Sequence, residues 1–185
     1  MAFFFFDFKD TAKQDARALL SSLIVQLSNQ SNSFYHILLG FHSAHQDGTQ
    51  QPSVASLTRC LKNMLLVPGE TPIYVIIDAL DECPHTTRMP SWRRQVLTLV
   101  ERLVELNAPN VHLHITSRPE IDIRISLEPL TSTSNRISLH DETGQQNDIN
   151  EFIKVMVYSD DNMRRWRDKD KQLVIETLSD RADGM

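Results

Sequence analysis

Apolar positions follow two different periods along this chain, and the alternation between them predicts its elements. Ala2 to Phe8 is an apolar run interrupted only at Asp7, and reads as a strand. Thr11 and Gln14 are spaced as a helix capping box. Leu19, Leu20, Leu23, Ile24 and Leu27 then recur at helical spacing, an amphipathic helix of roughly four to five turns. A second helical stretch covers Ser33 to Ala44. His45 to Pro52 is a polar loop, and Ser53 to Val67 forms a further helix with Leu57, Leu61, Met64 and Leu65 inward, ended by Pro68 and Gly69.

Ile73 to Asp78 is rich in β-branched residues and predicts a strand buried on both faces, as is the Phe3 to Phe6 run. A polar loop through Pro84 and Pro90 leads to a helix from Ser91 to about Asn107. Its buried stripe is Val96, Val100, Leu103 and Val104, with Leu99 at the edge. Pro109 and Asn110 turn the chain into a strand at Val111 to Thr116, and Arg136 to Leu139 is a short fourth strand candidate. Beyond His140 only helical patterns remain, at Asp148 to Tyr158 and Asp168 to Ala182. Strand, helix and strand in alternation predict an α/β fold with a parallel sheet and right-handed crossovers over residues 1–140, then a helical part over 141–185.

Composition narrows the function classes. With 185 residues, 41% hydrophobic and 23% charged, the chain supports one core plus an appendage. A net charge of -5 and a pI near 5.8 exclude a general nucleic-acid surface, and only Arg164 to Lys171 is locally basic. Cys60 and Cys83 cannot build a disulfide framework. The Met1 to Phe6 run lacks a basic lead-in and is too short for a signal peptide or a membrane span, so the expected location is cytoplasmic, with no membrane partner.

The chemistry concentrates where Ile73 to Ile77 runs into Asp78-Ala79-Leu80-Asp81-Glu82. Ligands of open α/β sheets sit at the C-terminal strand edge, and carboxylates there can hold magnesium and orient a water against a nucleotide phosphate. They can equally cap the next helix. Roughly 40 residues on, one crossover away, Thr116-Ser117-Arg118 ends a second strand. The Arg118 guanidinium could read a terminal phosphate in the same crevice, or form an exposed salt bridge to Asp78 or Asp81 with no ligand.

Val75 to Pro84 and Ile115 to Glu120 resemble the Walker B and sensor 1 segments of NACHT-type signal-transduction NTPases, in particular the nephrocystin 3-like N-terminal subgroup abundant in fungi. Phe4 to Phe8 with Leu20, Leu23, Ile24 and Leu27, Asp148-Ile149 with Phe152-Ile153, and Ala182 to Met185 match in family order. The resemblance implies a P-loop NTPase three-layer sandwich that binds Mg2+ with ATP or GTP. Asp78 would be the magnesium-associated acid, Asp81 or Glu82 would position or activate water, and Arg118 would sense the terminal phosphate. Family members often carry glycine where this chain has Ala79. They also carry a Walker A loop ahead of the phenylalanine-rich strand, on a strand central to the sheet.

None of Gly40, Gly48, Gly69, Gly144 and Gly184 begins a GxxxxGK[ST] pattern, so the phosphate cradle and its central strand are missing from these residues. Carboxylates without a cradle repel polyphosphate, and weak ATP affinity with negligible hydrolysis is expected. The Val111 to Thr116 strand is expected to keep an open edge unless Arg136 to Leu139 or another chain fills it. The expected function is therefore a truncated nucleotide-binding domain. The alternatives are a non-enzymatic module that self-associates or pairs with another NACHT chain, and a gene fragment without function.

Other residues take blander readings. His112 and His114 share a strand face, and Cys83 stands near His85, but neither pair has a third ligand at suitable spacing. Trp92 with Arg93-Arg94, and Trp166 with its flanking arginines, read as amphipathic helix surfaces.

Overall fold

A computed structural model describes residues 1–69, 71–85, 90–138 and 143–182. The described residues divide into two compact units, Met1–Thr131 and Ser132–Met185.

The first unit is α/β. Strand β1 (Ala2–Phe5) precedes helices α1 (Ala16–Ser28), α2 (Asn32–Ala44) and α3 (Val54–Leu65). Strand β2 (Ile73–Asp78), helix α4 (Trp92–Glu105), strand β3 (Val111–Ile115) and the short helix α5 (Ile121–Leu127) follow. The sheet is parallel in the order β1-β2-β3, with Ala2 opposite Val75 and Ile73 opposite Val111.

Both connections step the same way across the sheet, and right-handed crossovers then place α1 to α3 and α4 on a single face. Exposure alternates accordingly. Ala2, Phe4, Phe6, Ile73, Val75 and Ile77 are buried, and they share one core with Leu19, Leu20, Leu23 and Leu27 of α1, Leu61 and Met64 of α3, and Val96, Leu97 and Val100 of α4. The opposite face shows Phe3 at 43%, Phe5 at 51% and Tyr74 at 50% exposure. This corrects the expectation of doubly buried strands: a continuous apolar run cannot by itself report whether helices cover both faces.

Three further expectations change. The Thr11 and Gln14 capping box is replaced by two aspartates: Asp10 caps the 3-10 turn Thr11–Lys13, and Asp15 caps α1 by accepting from the Ala18 amide. Of the proposed fourth strand, Arg136, Ile137 and Ser138 are not in a strand, and Leu139 lies outside the described residues. Ile137, the one apolar residue among its described positions, is 78% exposed. On α4, Leu97 and Leu99 are buried while Val104 is exposed. Helix α5 falls where alternate isoleucines obscured the helical period.

The second unit holds helices α6 (Thr143–Ser159) and α7 (Asp168–Ala182), which pack on one another. Val157 and Ile175 are buried, and the Lys171 ammonium sits 5.0 Å from the centroid of the Tyr158 ring. The terminal motif residues Asp183, Gly184 and Met185 lie outside the described residues.

Candidate functional site at the sheet edge

The four residues singled out in the sequence meet around the C-terminal ends of β2 and β3. Asp78 is the last residue of β2. Its Oδ1 accepts a hydrogen bond from the Thr116 hydroxyl, and that same hydroxyl oxygen accepts the Ala79 amide at 3.0 Å. Asp78 Oδ2 accepts no hydrogen bond among the described residues.

Ala79 turns the chain out of the sheet with φ 52° and ψ 47°, in the left-handed region. This places Leu80 fully in the core, while its amide bonds the Thr116 carbonyl at 3.0 Å. A Cβ in this region costs about 1–2 kcal/mol, a strain that a glycine here would not carry. Ala79→Gly is expected to raise stability by about 0.5–1 kcal/mol, the relief being partly offset by the freer unfolded glycine. Chemical denaturation measures it; a loss of stability would show that the turn is not strained.

The turn Leu80–Glu82 then sends its two acids to opposite sides. Asp81 faces β3, where its Oδ1 accepts the Arg118 amide at 3.0 Å and its Oδ2 lies 3.6 Å from Arg118 Nε. Asp81 is 11% exposed and Arg118 83%, so the ion pair itself adds little stability. Glu82 faces β1, where its Oε2 accepts the Phe8 amide at 3.3 Å. Of the two readings of Arg118, the salt bridge to Asp81 is the one present in this structure.

Sequence reasoning missed the residue that fastens this turn. Arg93 is buried at the start of α4. Its Nη2 donates to the Asp81 carbonyl at 2.6 Å, its Nε donates to the Cys83 carbonyl at 2.8 Å, and its Nη1 pairs with Glu120 and, at 3.5 Å, with Asp122. The sequence pattern around Trp92 reads it instead as part of an amphipathic helix surface. The available signal was its spacing: Arg93 stands three, four and seven residues before Val96, Leu97 and Val100, on the buried stripe. Buried Gln14 completes the floor by donating to the Asp7 and Phe8 carbonyls at 3.3 and 2.7 Å.

Burial pushes the Cys83 thiol up to about 12, with Asp15 adding to the rise and Arg93 opposing it. The thiol donates to the Gln14 carbonyl at 3.2 Å. A neutral, engaged thiol is a poor metal ligand, and among the described residues no three His, Cys, Asp or Glu side chains of one chain form a metal-binding group. A concavity of about 340 Å³ lies elsewhere, lined by Asp15, Arg17, Trp92 and Gln95 among others, and contains none of the four edge residues. No helix among the described residues is long and apolar enough to cross a membrane.

Comparison with known proteins gives a consistent result. The family model described as nephrocystin 3, N-terminal, matches residues 1–118, which takes in β1 through Arg118. The vegetative incompatibility protein HET-E-1 of Podospora anserina is 32% identical over 141 residues, covering 75% of this chain and 10% of the relative. The chain therefore spans about a tenth of that relative's length. No solved structure matches it significantly.

Proposed function

The chain belongs to the nephrocystin 3 N-terminal family, and from that premise we propose that its sheet edge is the metal and water side of a nucleotide site in a NACHT-type regulatory NTPase. The observation that carries this reading is the engagement of Arg118 with Asp81, one residue pair away from Asp78 and Thr116. Carboxylate and hydroxyl oxygens suit a hard cation, and Asp78 Oδ2 and the Thr116 hydroxyl are the atoms that would hold magnesium. When bound, that ion would neutralise charge on the phosphates of ATP or GTP.

The pairing suggests an exchange. Arg118 is mostly exposed, and its guanidinium can leave Asp81 for a terminal phosphate, for which bidentate contact is the stronger attraction. That movement would free Asp81 Oδ2 to accept a proton from water or to orient it, while Glu82, tethered to the Phe8 amide, would hold the β1 side of the turn. The finer fold reading is a P-loop sandwich whose Walker B and sensor 1 strands are β2 and β3. No GxxxxGK[ST] pattern occurs in these 185 residues.

Titration of magnesium and fluorescent ATP tests both halves of this reading. The chain alone should show no saturable binding, and tight binding would overturn the need for a separate cradle. A chimera carrying the strand, phosphate loop and first helix of a Walker A-containing family member ahead of Ala2 should bind. Asp78→Ala and Arg118→Ala should then each weaken it by roughly tenfold, the equivalent of about 1.4 kcal/mol. Binding by the chimera that ignores both substitutions would sink the site assignment.

Among the described residues no strand pairs with the far side of β3, which favours a second reading, a non-enzymatic module that pairs with another NACHT chain. Light scattering on the purified chain, alone and mixed with such a protein, checks it: a monomer in both would remove the proposal.

A further inference from the structure

The outer side of β1 is occupied by side chains that behave as a strand. Just past its end, the Phe6 amide donates to the Asp78 carbonyl at 3.1 Å. Even positions therefore direct their peptide groups toward β2, and Met1, Phe3 and Phe5 direct theirs the other way. Gln26 of α1 meets Phe3 there: its Oε1 accepts the Phe3 amide at 3.0 Å, and its Nε2 donates to the Phe3 carbonyl at 2.7 Å. Gln30, in the turn after α1, repeats the pattern at Met1. Its Oε1 accepts from the Met1 nitrogen at 2.6 Å and its Nε2 donates to the Met1 carbonyl at 2.7 Å.

A primary amide carries the donor and acceptor of a peptide group. Each glutamine thus reproduces the two bonds that a residue of an antiparallel neighbour would exchange with β1. The spacing permits this at successive positions. Four residues of helix advance about 6.0 Å and two of strand about 6.6 Å, so the stripe Ser22, Gln26, Gln30 keeps step with Phe5, Phe3, Met1. The amides are themselves held in place: Gln26 Nε2 also donates to Ser22 Oγ at 2.9 Å, and Gln30 Nε2 to the Gln26 carbonyl at 2.8 Å.

Ser22, opposite Phe5, offers a shorter side chain already engaged by Gln26. Among the described residues the Phe5 peptide group forms no hydrogen bond on that side, while beyond it the Asp7 amide donates to the Lys13 carbonyl at 3.3 Å. The strand itself, Ala-Phe-Phe-Phe, has no proline, lysine or acid to blunt its edge. We propose that Gln26 and Gln30 act as a side-chain strand that keeps a second copy of the chain from pairing with β1. Without them, full antiparallel overlap sets Phe3 opposite Phe3 on a twofold axis and Met1 opposite Phe5, and every outward peptide group finds a partner. This inference is independent of the nucleotide reading and of the far side of β3.

Hydrogen exchange and light scattering on the full chain test it. In the natural sequence the Phe3 amide should be at least roughly tenfold better protected than the Phe5 amide; equal protection would show that the glutamines do not close the edge. Gln26→Ala combined with Gln30→Ala should keep the native circular dichroism, since alanine is a strong helix former and neither position is in the core. Self-association of this variant should be at least roughly tenfold tighter than that of the natural sequence, with the Phe5 amide protected on association. Gln26→Asn with Gln30→Asn keeps the amides but shortens their reach, and should associate as the alanine pair does. Adding Phe5→Pro removes an outward amide at no cost to the β1–β2 ladder and should abolish the gain, whereas adding Phe5→Ala should not. Unchanged association in both glutamine variants, association that leaves the Phe5 amide unprotected, or a proline without effect would each overturn the proposal.

Discussion

Replacing Arg93 by alanine is expected to destabilise the α/β unit by about 3 kcal/mol, because breaking a buried ion pair from one side leaves desolvated partners behind. The carbonyls of Asp81 and Cys83 would lose their donors, and each buried polar group so stranded costs about 1–3 kcal/mol. Glu120 and Asp122 are half-exposed and can recover water, so they contribute the smaller part. Urea unfolding followed by the fluorescence of neighbouring Trp92 reads the change as a lower midpoint at unchanged slope. Arg94→Ala is the control. That side chain is 58% exposed, and its loss should stay within about 0.5 kcal/mol. Equal effects at the two positions would refute the anchoring role of Arg93. Arg93→Lys should recover only part of the loss, since an ammonium cannot reproduce the planar fork that reaches two carbonyls and two carboxylates.

Thr116→Val is expected to cost about 2 kcal/mol although it preserves shape, because one hydroxyl serves two partners across β2 and β3. The Ala79 amide loses its acceptor and the Asp78 carboxylate its donor at the same time. Thr116→Ser keeps the hydroxyl and should retain most of the stability. The comparison separates the hydrogen bonds from the lost methyl group. In the nucleotide-competent chimera, the valine variant should also weaken magnesium-dependent binding, since Asp78 would be free to rotate. Stability of the valine variant equal to that of the serine variant would show that the hydroxyl does not set the turn.

The positions of these groups were unequally legible in the chain. Ile73 to Asp78 announced both its strand and the edge at which its carboxylate would stand, because a β-branched run followed by acids admits few other arrangements. Arg118 was found through its distance in sequence, one crossover beyond Asp78. Arg93 was not, since an arginine beside an arginine reads as surface until its helical phase is compared with Val96 and Val100. The cover of the sheet was also illegible: Phe3 and Phe5 have the same side chain as Phe4 and Phe6, and only the sheet order decides which pair meets helices. The caps were misplaced by a few residues because Asp10, Thr11 and Asp15 all offer side-chain oxygens, and the 3-10 turn between them delays the helix proper.

The order β1-β2-β3 has a consequence for how the sheet is assembled. Pairing Ala2 with Val75 closes a ring about twice as long as pairing Ile73 with Val111, a difference of about 0.6 kcal/mol in closure entropy. The β2–β3 ladder is therefore the less demanding of the two to nucleate, while the phenylalanine strand must wait for Asp78 to emerge before it has a partner. During synthesis, the phenylalanine strand is therefore the one of the three with the longest interval before its pairing partner can shelter it.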